Sequence, residues 1–421
     1  IEKGDWIVLI DDEEQEFVGY NNFETSVRIT KYREINFKEQ KQYQLVFNVT
    51  PFYAEGGGQV GDIGILKSSN ETIYIVDTKK ENKLIVHFTN ELPNDVSAIF
   101  MAHVDADSRI SSSRNHTATH LLHESLRVIL GEHVAQKGSL VNSQYLRFDF
   151  SHFAKIDTEE LKKIEEDVNA KILANIILQE HDNLPLSKAE DLGAIMLFGE
   201  KYEDVVRMIQ FDGSKELCGG THVQATGEIG VFKILSEASI SSGIRRIEAI
   251  TATNALNYLN DKEELLKTLG GLVKNKDLYK GVEQLISSNK QLERQLKEFK
   301  KANAGNVKEE LLKLAVEVNG FRFIAKEVEM EVEDMKNVSF QLRKENNLAM
   351  VLGAKAGEKA LLSVMLTDDL VAKGLNADTM IREISKEING GGGGQAFFAT
   401  AGGSNPDGLE NALNKAKEII G

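Results

Sequence analysis

Alternation of apolar and polar residues dominates the first hundred residues of the chain. Six short runs are rich in β-branched and aromatic residues and are separated by polar turns, a pattern that predicts strands. These runs are DWIVLI, TSVRITKYREI, YQLVFNVT, GILKS, TIYIVDTKK and KLIVHFT. Many short strands are typical of a barrel or a sandwich, and we expect a small N-terminal β-barrel over residues 1–100.

After these predicted strands the apolar period becomes helical. The segment HTATHLLHESLRVILGEH predicts a helix, with Ser111 to Ser113 as candidate caps and Gly131 as its stop. A second helix is predicted over TEELKKIEEDVNAKILAN, with Thr158 as its N-cap. Strands then alternate with a helix at SKAEDLGAIMLF, so we expect residues 101–253 to form an α+β core.

Residues 254–305 carry a heptad-like pattern. Apolar residues follow a 4,3,4,3 repeat with Asn289 at one seam position and charges outside the seam, which is typical of a coiled coil. The apolar seam residues are Leu278, Val282, Leu285, Leu292, Leu296 and Phe299. The preceding run from Leu256 to Leu269 is a candidate antiparallel partner, and a second copy of the chain fits the pattern equally well.

Residues 306–421 mix helical and strand patterns. Helices are predicted at KEELLKLAVEV, ADTMIREISKEI and LENALNKAKEII, and strands at FRFIAKEV, AMVLGA and ALLSVML. A small C-terminal α/β domain is the simplest interpretation. We therefore expect an α+β multidomain protein with a helical, coiled-coil-like linker between its last two parts.

Composition sets the outer limits of this picture. The 421-residue chain is 41% hydrophobic, which is enough for several cores. It has no apolar run of the roughly 18–20 residues that span a bilayer and no signal-peptide pattern, so we expect a cytoplasmic protein. The start at Ile1 suggests a piece of something longer. A net charge of −15 argues against an indiscriminate nucleic-acid binder but leaves room for a local basic track.

Two short clusters carry candidate metal chemistry. His116 and His120 lie in HTATH, and Cys218 and His222 lie in CGGTH, each pair with a spacing of four residues. Isolated histidine pairs arise by chance, but Cys218 is the only cysteine, so an internal disulfide is excluded, and the adjacent glycines allow a tight turn. Imidazole nitrogen and thiolate sulfur are zinc ligands. We expect zinc or a similar borderline metal between a helix and a Gly-rich loop.

A glycine-rich loop lies upstream of the first cluster. In TPFYAEGGGQVGDIG, Gly56 to Gly58 precede Gln59. Backbone without side chains can approach a ligand closely, while a tight turn or a bulge is the competing interpretation.

These motifs resemble, in order, the C-terminal half of alanyl-tRNA synthetase. The segments are TPFYAEGGGQVGDIG, RNHTATHLLHESLRVILGEHVAQKGSLV, LRFDFSH, LFGEKYEDVVRMI, CGGTHVQATGEIGVFKI, SGIRRIEAIT and GGGGGQAFFATAGG. Threonyl-tRNA synthetases carry related HxxxH and CxxxH motifs, but the GGGQ loop and the late glycine run favour the alanyl family. The resemblance implies an editing domain over about 1–253, a helical linker and the family's C-terminal tRNA-binding domain, C-Ala, without the domain that activates alanine with ATP.

The resemblance also implies a substrate. In this family the zinc site hydrolyses the ester that links tRNA(Ala) to a wrongly attached serine or glycine. A pocket built for alanine cannot exclude glycine by size, and serine adds only a hydroxyl, so a second, hydrolytic site multiplies the selectivity. The implied site has one Zn²⁺ per chain on His116, His120, Cys218 and His222, with Gln59, Gly57 and Gly58 in the editing loop and Thr50 as a contact for the serine hydroxyl.

Four protein ligands are typical of a closed structural zinc site, whereas a catalytic zinc keeps an open position. We hypothesise that His222 or His116 is displaced when the aminoacyl end enters; if all four stay, zinc has an organising role. No general base is evident, and Glu55 and Asp62 are only nearby carboxylates.

The expected partner is tRNA(Ala). We expect Arg114, Arg245 and Arg246 to contact phosphates at the acceptor end, and a glycine run to approach the tRNA body. The glycines concerned are Gly391, Gly392 and Gly393. A solvated charged face and a tight glycine turn are the plain alternatives. A homodimer through the linker or the C-terminal domain is a further expectation.

Two other functions fit the same sequence. The chain could be a free-standing aminoacyl-tRNA hydrolase that acts in trans. It could instead be a non-catalytic tRNA-binding and dimerisation module whose zinc is structural.

Overall fold

The structure is a computed structural model that describes residues 2–11, 14–37, 40–196 and 202–420. The chain divides into two compact units, Ile1–Thr268 and Leu269–Gly421. Helices and strands are mixed in both units, and the strands form several separate sheets, as expected for an α+β multidomain protein. None of the described helices combines the length and apolar composition that a membrane span requires.

A nine-stranded sheet forms the first part of unit 1. Its strands run in the order β8-β7-β11-β4-β5-β10-β9, with β1 and β2 paired to β4, while β3 and β6 pair separately. The strands are β1 Glu2–Lys3, β2 Ile7–Val8, β3 Glu16–Phe17, β4 Glu24–Phe37, β5 Gln40–Phe47, β6 Val49–Thr50, β7 Gly64–Lys67, β8 Thr72–Ile75, β9 Asp77–Glu81, β10 Leu84–Thr89 and β11 Ile99–Val104.

The prediction that these strands close into a barrel is wrong for the described residues. Strands β8 and β9 lie at opposite ends of the strand order, and no ladder joins them. Only Val76 separates these two strands in sequence, and its amide donates to Phe88 O of β10. Alternation fixes which face of a strand is buried, but it does not determine whether the two edge strands pair.

Helix α1, Ala106–Leu130, crosses the second part of unit 1. It begins earlier than predicted, because Asp105 is the N-cap and accepts a hydrogen bond from Ser108 N. The candidate caps Ser111 to Ser113 therefore lie inside the helix. The predicted stop is confirmed, since Gly131 is the C-cap.

Helix α2, Thr158–Leu173, packs beside α1. Its N-cap is Asp157 rather than the predicted Thr158, because Asp157 and Glu160 form a reciprocal capping box. Buried residues of both helices, among them Leu122 and Ile164, share one core with Phe148 and Phe150 of the adjoining sheet. This core holds α1 in a fixed position over the sheet.

Two antiparallel sheets complete unit 1, with the strand orders β12-β13-β18-β17 and β14-β15-β16. A short helix, α3, covers only the start of the predicted SKAEDLGAIMLF helix, and residues 197–201 of LFGEKYEDVVRMI lie outside the described residues. The elements are β12 Gln136–Val141, β13 Leu146–Ser151, β14 Gln179–Pro185, α3 Leu186–Asp191, β15 Val205–Phe211, β16 Ser214–Leu217, β17 Phe232–Ser241 and β18 Ile244–Thr251.

Two long helices follow, α4 Ala252–Val273 and α5 Leu278–Lys313. The predicted seam of α5 is exposed: Leu292 is 62% and Leu296 58% accessible. The leucine face of α4 is exposed as well, including Leu265 and Leu266. Helix α5 continues into the segment KEELLKLAVEV, which ends in a strand, so a separate helix there is not formed.

The remainder of unit 2 is a six-stranded sheet in the order β19-β20-β21-β22-β24-β23, with an apolar core on each face. The strands predicted at FRFIAKEV, AMVLGA and ALLSVML and the helices predicted at ADTMIREISKEI and LENALNKAKEII are present, and β19, α6, α7, β23 and β24 are additional. The elements are β19 Val316–Val318, β20 Phe321–Glu327, α6 Val332–Leu342, β21 Leu348–Ala356, β22 Lys359–Leu366, α7 Asp368–Ala372, α8 Ala377–Ile384, β23 Gly390–Gly394, β24 Phe398–Gly403 and α9 Leu409–Ile420.

The late glycine run is an edge strand, not a tight turn. Strand β23 pairs antiparallel with β24, where Gly391 lies opposite Gly402. A Cβ on Gly392 would lie 2.2 Å from Thr400 O, and one on Gly390 would lie 2.3 Å from Gly402 O. The glycines are therefore needed for strand pairing at close backbone approach.

Candidate metal centre

The two histidine-containing clusters meet in unit 1. His116 and His120 lie one turn apart on α1, and Cys218 and His222 lie on the loop that follows β16. One donor atom from each of the four residues lies within 4.8 Å of the others, an arrangement that could hold a metal ion. Cys218 Sγ is 3.4 Å from both His116 Nε2 and His222 Nε2. The site is thus assembled from two distant segments of the chain.

Hydrogen bonds orient two of the imidazole rings. Gln59 Oε1 accepts from Thr221 N at 3.0 Å and lies 2.8 Å from His116 Nδ1, so this ring nitrogen carries the proton and donates. His222 Nδ1 lies 3.0 Å from Thr117 Oγ1 on α1. His116 then presents an unprotonated Nε2 toward Cys218, which is the form that binds a metal, and the Nε2 of His222 faces the same sulfur.

The third ring contains a buried nitrogen that no described residue satisfies. His120 Nε2 lies 3.7 Å from Glu216 Oε2, whereas His120 Nδ1 is buried and has no hydrogen-bond partner in the described part of the chain. An unsatisfied buried nitrogen is costly, and a metal ion would satisfy it. The donor set therefore fits a borderline metal such as zinc.

Burial keeps these rings neutral. It lowers the pKa of His116 and of His222 well below the usual value, and neighbouring imidazoles and Arg207 lower both further. Burial also lowers the pKa of His120, although Glu216 opposes this shift. Because only neutral imidazole binds a metal, the site is ready for metal binding near neutral pH.

The GGGQ loop brings Gln59 to the centre. Gly57 and Gly58 have φ values of 58° and 84°, a region that L side chains rarely adopt. A Cβ on Gly58 would also lie 2.8 Å from Ser139 O. Gln59 is fully buried, and its Nε2 donates to Thr221 Oγ1 at 2.9 Å. Both ends of the Gln59 amide are thus committed to holding His116 and the CGGTH loop together.

The CGGTH loop is fixed from outside by two side chains. Arg207 Nη1 donates to Cys218 O at 2.9 Å and to Gly220 O at 2.8 Å. Tyr20 lies under the Arg207 guanidinium and donates to Gly219 O at 2.7 Å. A Cβ on Gly220 would lie 2.1 Å from His116 Cε1, so this position requires glycine.

A cleft of about 410 Å³ opens beside the metal ligands. Its lining joins ligands of both clusters to the GGGQ loop and to strand β12. The polar and glycine residues of this lining include Gly57, His116, Thr119, His120, Gln136, Ser139, Arg207, Glu216 and Cys218. A small polar group in this cleft would therefore lie next to a bound metal.

Thr50 lies away from this cleft. Its side chain is completely buried, and Thr50 Oγ1 lies 2.7 Å from His87 Nε2 and accepts from Phe52 N. Burial lowers the pKa of His87 to about 3, so the neutral ring accepts the threonine proton while Nδ1 donates to Leu45 O. The structure does not bring Thr50 to the cleft, and its role as a serine contact stays a prediction.

The two carboxylates near the GGGQ loop have other partners. Asp62 is buried in an ion pair with Arg109 and also accepts from Tyr53 N at 2.7 Å. Glu55 is exposed and lies 3.3 Å from Lys79 Nζ. Neither residue lines the cleft.

The predicted RNA contacts are dispersed. Arg114 Nε donates to Glu228 O at 2.8 Å, and its side chain lines a separate cleft at the start of α1. Arg245 is buried in an ion pair with Glu237, and Arg246 donates to both carboxylate oxygens of Asp149 at 2.6 and 2.7 Å. The predicted glycines, Gly391, Gly392 and Gly393, lie on the edge strand of unit 2. These assignments stay predictions.

Sequence reasoning missed three residues of the site. Glu216 is buried and bridges His120 and His123, Arg207 anchors the CGGTH loop, and Ser139 lines the cleft. An acidic residue two positions before Cys218, in the short strand SKEL, was the available signal for Glu216. Nothing in the sequence pattern marks Arg207 or Ser139, because their contacts depend on the tertiary fold.

Comparisons with protein families match three parts of the chain. Residues 206–248 match the "Threonyl and Alanyl tRNA synthetase second additional domain", which includes CGGTH. Residues 5–109 match "tRNA synthetases class II (A)", and residues 320–421 match the "DHHA1 domain".

Individual relatives match the chain from end to end. The alanine–tRNA ligase of Bacteroides fragilis is 51% identical over 100% of the chain and 48% of its own length. The enzyme of Cytophaga hutchinsonii is 48% identical over 100% of the chain and 49% of its own length. That of Porphyromonas gingivalis is 43% identical over 99% of the chain and 48% of its own length. The chain thus spans about half the length of these relatives.

Among solved structures, the C-Ala domain of Aquifex aeolicus alanyl-tRNA synthetase is 29% identical to part of the chain. The match covers 25% of this chain and 96% of that domain, with a TM-score of 0.24.

Proposed function

The chain belongs to the alanyl-tRNA synthetase family, spanning about half the length of its curated members, and on that premise we propose that it hydrolyses mischarged tRNA(Ala). The proposed substrates are seryl- and glycyl-tRNA(Ala), and the bond broken is the ester to the terminal ribose. The full-length parent would attach alanine to tRNA(Ala) with ATP.

One observation carries this proposal: the four candidate metal ligands, the GGGQ loop and an open cleft occur together within unit 1. A site used only to stabilise the fold does not need a cleft beside its ligands. The cleft is large enough for an aminoacyl group, since drug-sized ligands occupy roughly 300–1,000 Å³.

We propose zinc, one ion per chain, as the metal on His116, His120, Cys218 and His222. Bound there, it would hold the four ligand side chains together beside the cleft, and Lewis-acid polarisation of the ester or of a water would require one ligand position to open. The chain's own residues preorganise this centre: Gln59 fixes the tautomer of His116, and Arg207 holds the backbone on both sides of Gly219.

Each of the three candidate histidine ligands is also contacted by a further side chain, and these contacts favour retention of all four metal ligands. His116 is held by Gln59, His222 by Thr117, and His120 faces Glu216. No ring is loosely oriented among these three, so displacement of His116 or His222 would break an oriented contact. We therefore favour an organising role for the metal over a mechanism in which one ligand leaves.

Contacts with the rest of the tRNA are part of the proposal. Arg114 is half-exposed and could reach a phosphate, whereas Arg245 and Arg246 would first have to leave their carboxylate partners. The exposed backbone edge of Gly391 to Gly393 could approach the tRNA body. We propose that residues 1–253 form the editing domain, with the large sheet in residues 1–100 and the metal-binding core in residues 101–253. Residues 254–305 would form the linker and residues 306–421 the C-Ala domain.

The proposal is tested by a deacylation assay with seryl-, glycyl- and alanyl-tRNA(Ala). The chain is expected to hydrolyse the first two and to spare the third. Cys218→Ala should abolish this hydrolysis and Gln59→Ala should reduce it, because each variant removes a contact of the metal centre. His103→Ala, on β11 and paired with Glu24, is the control and should hydrolyse at the wild-type rate.

Binding of tRNA, measured by fluorescence anisotropy, should persist in all three variants. Wild-type hydrolysis in both Cys218→Ala and Gln59→Ala would contradict the proposal. A chain that binds tRNA but hydrolyses none of the substrates would instead be a binding and dimerisation module with structural zinc.

A further inference from the structure

Several polar groups that line the cleft already form hydrogen bonds or ion pairs within the protein. Arg207 donates to two backbone carbonyls, and Thr119 Oγ1 donates to Asn115 O at 2.8 Å. Glu216 Oε1 lies 3.0 Å from His123 Nδ1, and its other oxygen faces His120. These groups have little remaining capacity for a substrate.

The hydroxyl of Ser139 is an exception. Ser139 Oγ is buried and has no hydrogen-bond partner in the part of the chain that the structure describes. The same residue lines the cleft together with His116 and Gly57. A buried hydroxyl that forms no hydrogen bond is costly, and a change of the Ser139 χ1 rotamer would turn this one toward the cleft that the residue lines, where it could accept a polar ligand atom.

The backbone around Ser139 fixes this hydroxyl relative to the GGGQ loop. Val141 N donates to Gly58 O at 2.7 Å, and Val60 N donates to Val141 O at 3.0 Å, so β12 runs beside the loop. Position 58 must be glycine, because a Cβ there would lie 2.8 Å from the Ser139 Cβ. Ser139 and Gly57 of the GGGQ loop therefore lie on one wall of the cleft.

The other hydroxyl considered for substrate recognition, that of Thr50, is already satisfied. It donates to His87 and accepts from Phe52 N, and Thr50 does not line the cleft. A serine hydroxyl that enters the cleft would thus meet Ser139 rather than Thr50.

We propose that the Ser139 hydroxyl binds the side-chain hydroxyl of a mischarged seryl group and so favours serine over alanine at this site. This inference rests on the proposed deacylase function. Alanine and glycine have no side-chain hydroxyl and would both leave Ser139 unpaired, so this contact favours serine alone. A site that matches a substrate hydroxyl discriminates against an analogue that lacks it, because the buried partner is then left without a hydrogen bond.

The test compares Ser139→Ala with wild type on seryl- and glycyl-tRNA(Ala). Loss of one buried hydrogen bond is expected to lower kcat/KM for seryl-tRNA(Ala) about tenfold. Hydrolysis of glycyl-tRNA(Ala) should be unchanged. The thermal midpoint should stay the same or rise, because the variant removes a hydroxyl that has no partner in the described fold.

A matched control is Ser363→Ala. Ser363 Oγ is also buried without a hydrogen-bond partner among the described residues, but it lies on β22 in unit 2. This variant should leave the ratio of seryl to glycyl hydrolysis at the wild-type value.

Three results would overturn the inference. An equal fall for both substrates in Ser139→Ala would assign the hydroxyl to the ribose or to the fold. An unchanged seryl rate would remove Ser139 from recognition, and a changed ratio in Thr50→Val alone would assign the contact to Thr50. Failure of the proposed function is distinguishable, because the wild-type chain would then hydrolyse neither substrate.

Discussion

Glu216 is a buried carboxylate that contacts two histidines of α1. Its Oε1 lies 3.0 Å from His123 Nδ1, and its Oε2 lies 3.7 Å from His120 Nε2. Burial alone raises the pKa of Glu216, but the two imidazole rings outweigh this effect and keep the pKa below its usual value. Such a carboxylate stabilises the orientation of a metal-binding histidine.

We predict that Glu216→Gln weakens metal binding by roughly 10–100-fold, because the amide supports the His120 ring less well than a carboxylate. Competition with a chromophoric zinc chelator measures this affinity without any substrate. Glu203→Gln is the matched control, since Glu203 lines the same cleft and contacts none of the four candidate ligands in the described structure. Equal zinc affinity in wild type and Glu216→Gln would contradict the role given to Glu216.

At the level of single residues, the spacing in the sequence predicts the two pairs of candidate metal ligands but not the residues that contact them. A separation of four residues on a helix places His116 and His120 on one face, and the glycines beside Cys218 allow a tight loop. Contacts such as Glu216 to His120 or Arg207 to Cys218 O depend on how strands pair. No local pattern encodes them, so they appear only in the folded chain.

Helix α2 begins with a reciprocal hydrogen-bond pair. Glu160 N donates to Asp157 Oδ1 at 2.8 Å, and Asp157 N donates to Glu160 Oε2 at 3.0 Å. This capping box satisfies two backbone groups that the first helical turn leaves without partners. It fixes the start of the helix that packs against α1 and so supports the helix carrying His116 and His120.

We predict that Asp157→Ala destabilises unit 1 by about 1 kcal/mol, as is usual for loss of an N-cap. Urea unfolding followed by circular dichroism measures the change. Glu159→Ala, in the same first turn but outside the capping box, should shift the midpoint much less. Equal urea midpoints for the two variants would contradict a stabilising role of the Asp157 capping box.

Helices and strands were predictable from the sequence where apolar residues recur at a regular period, whereas the residues at which they begin and end were less predictable. Helix α1 starts at Ala106 because Asp105 caps it, but its first turn is polar and gives no periodic signal. The strands of residues 1–100 were identified, but closure of their sheet was not, since edge pairing is a long-range property. A tight turn was one interpretation of the glycine run because glycine usually breaks strands, and the close approach to β24 explains why it forms a strand.

At the scale of the whole molecule, the two compact units contain different candidate sites. The candidate metal centre and its cleft lie in unit 1, and the glycine edge strand lies in unit 2. The exposed seam of α5 is a surface on which the expected dimer could form, and dimerisation stays a prediction. The sequence indicated several α+β parts because patterns of period two and 3.6 occupy successive segments.

The central claim is that one metal ion, bound in unit 1, supports hydrolysis of mischarged tRNA(Ala). The most direct measurement is a zinc titration of the metal-free chain in which the rate of seryl-tRNA(Ala) hydrolysis is followed. The rate should rise in proportion to added zinc and reach a plateau at one ion per chain, as expected for a single four-ligand site. A metal-free chain that hydrolyses at the full rate, or a rate that never responds to zinc, would contradict the account.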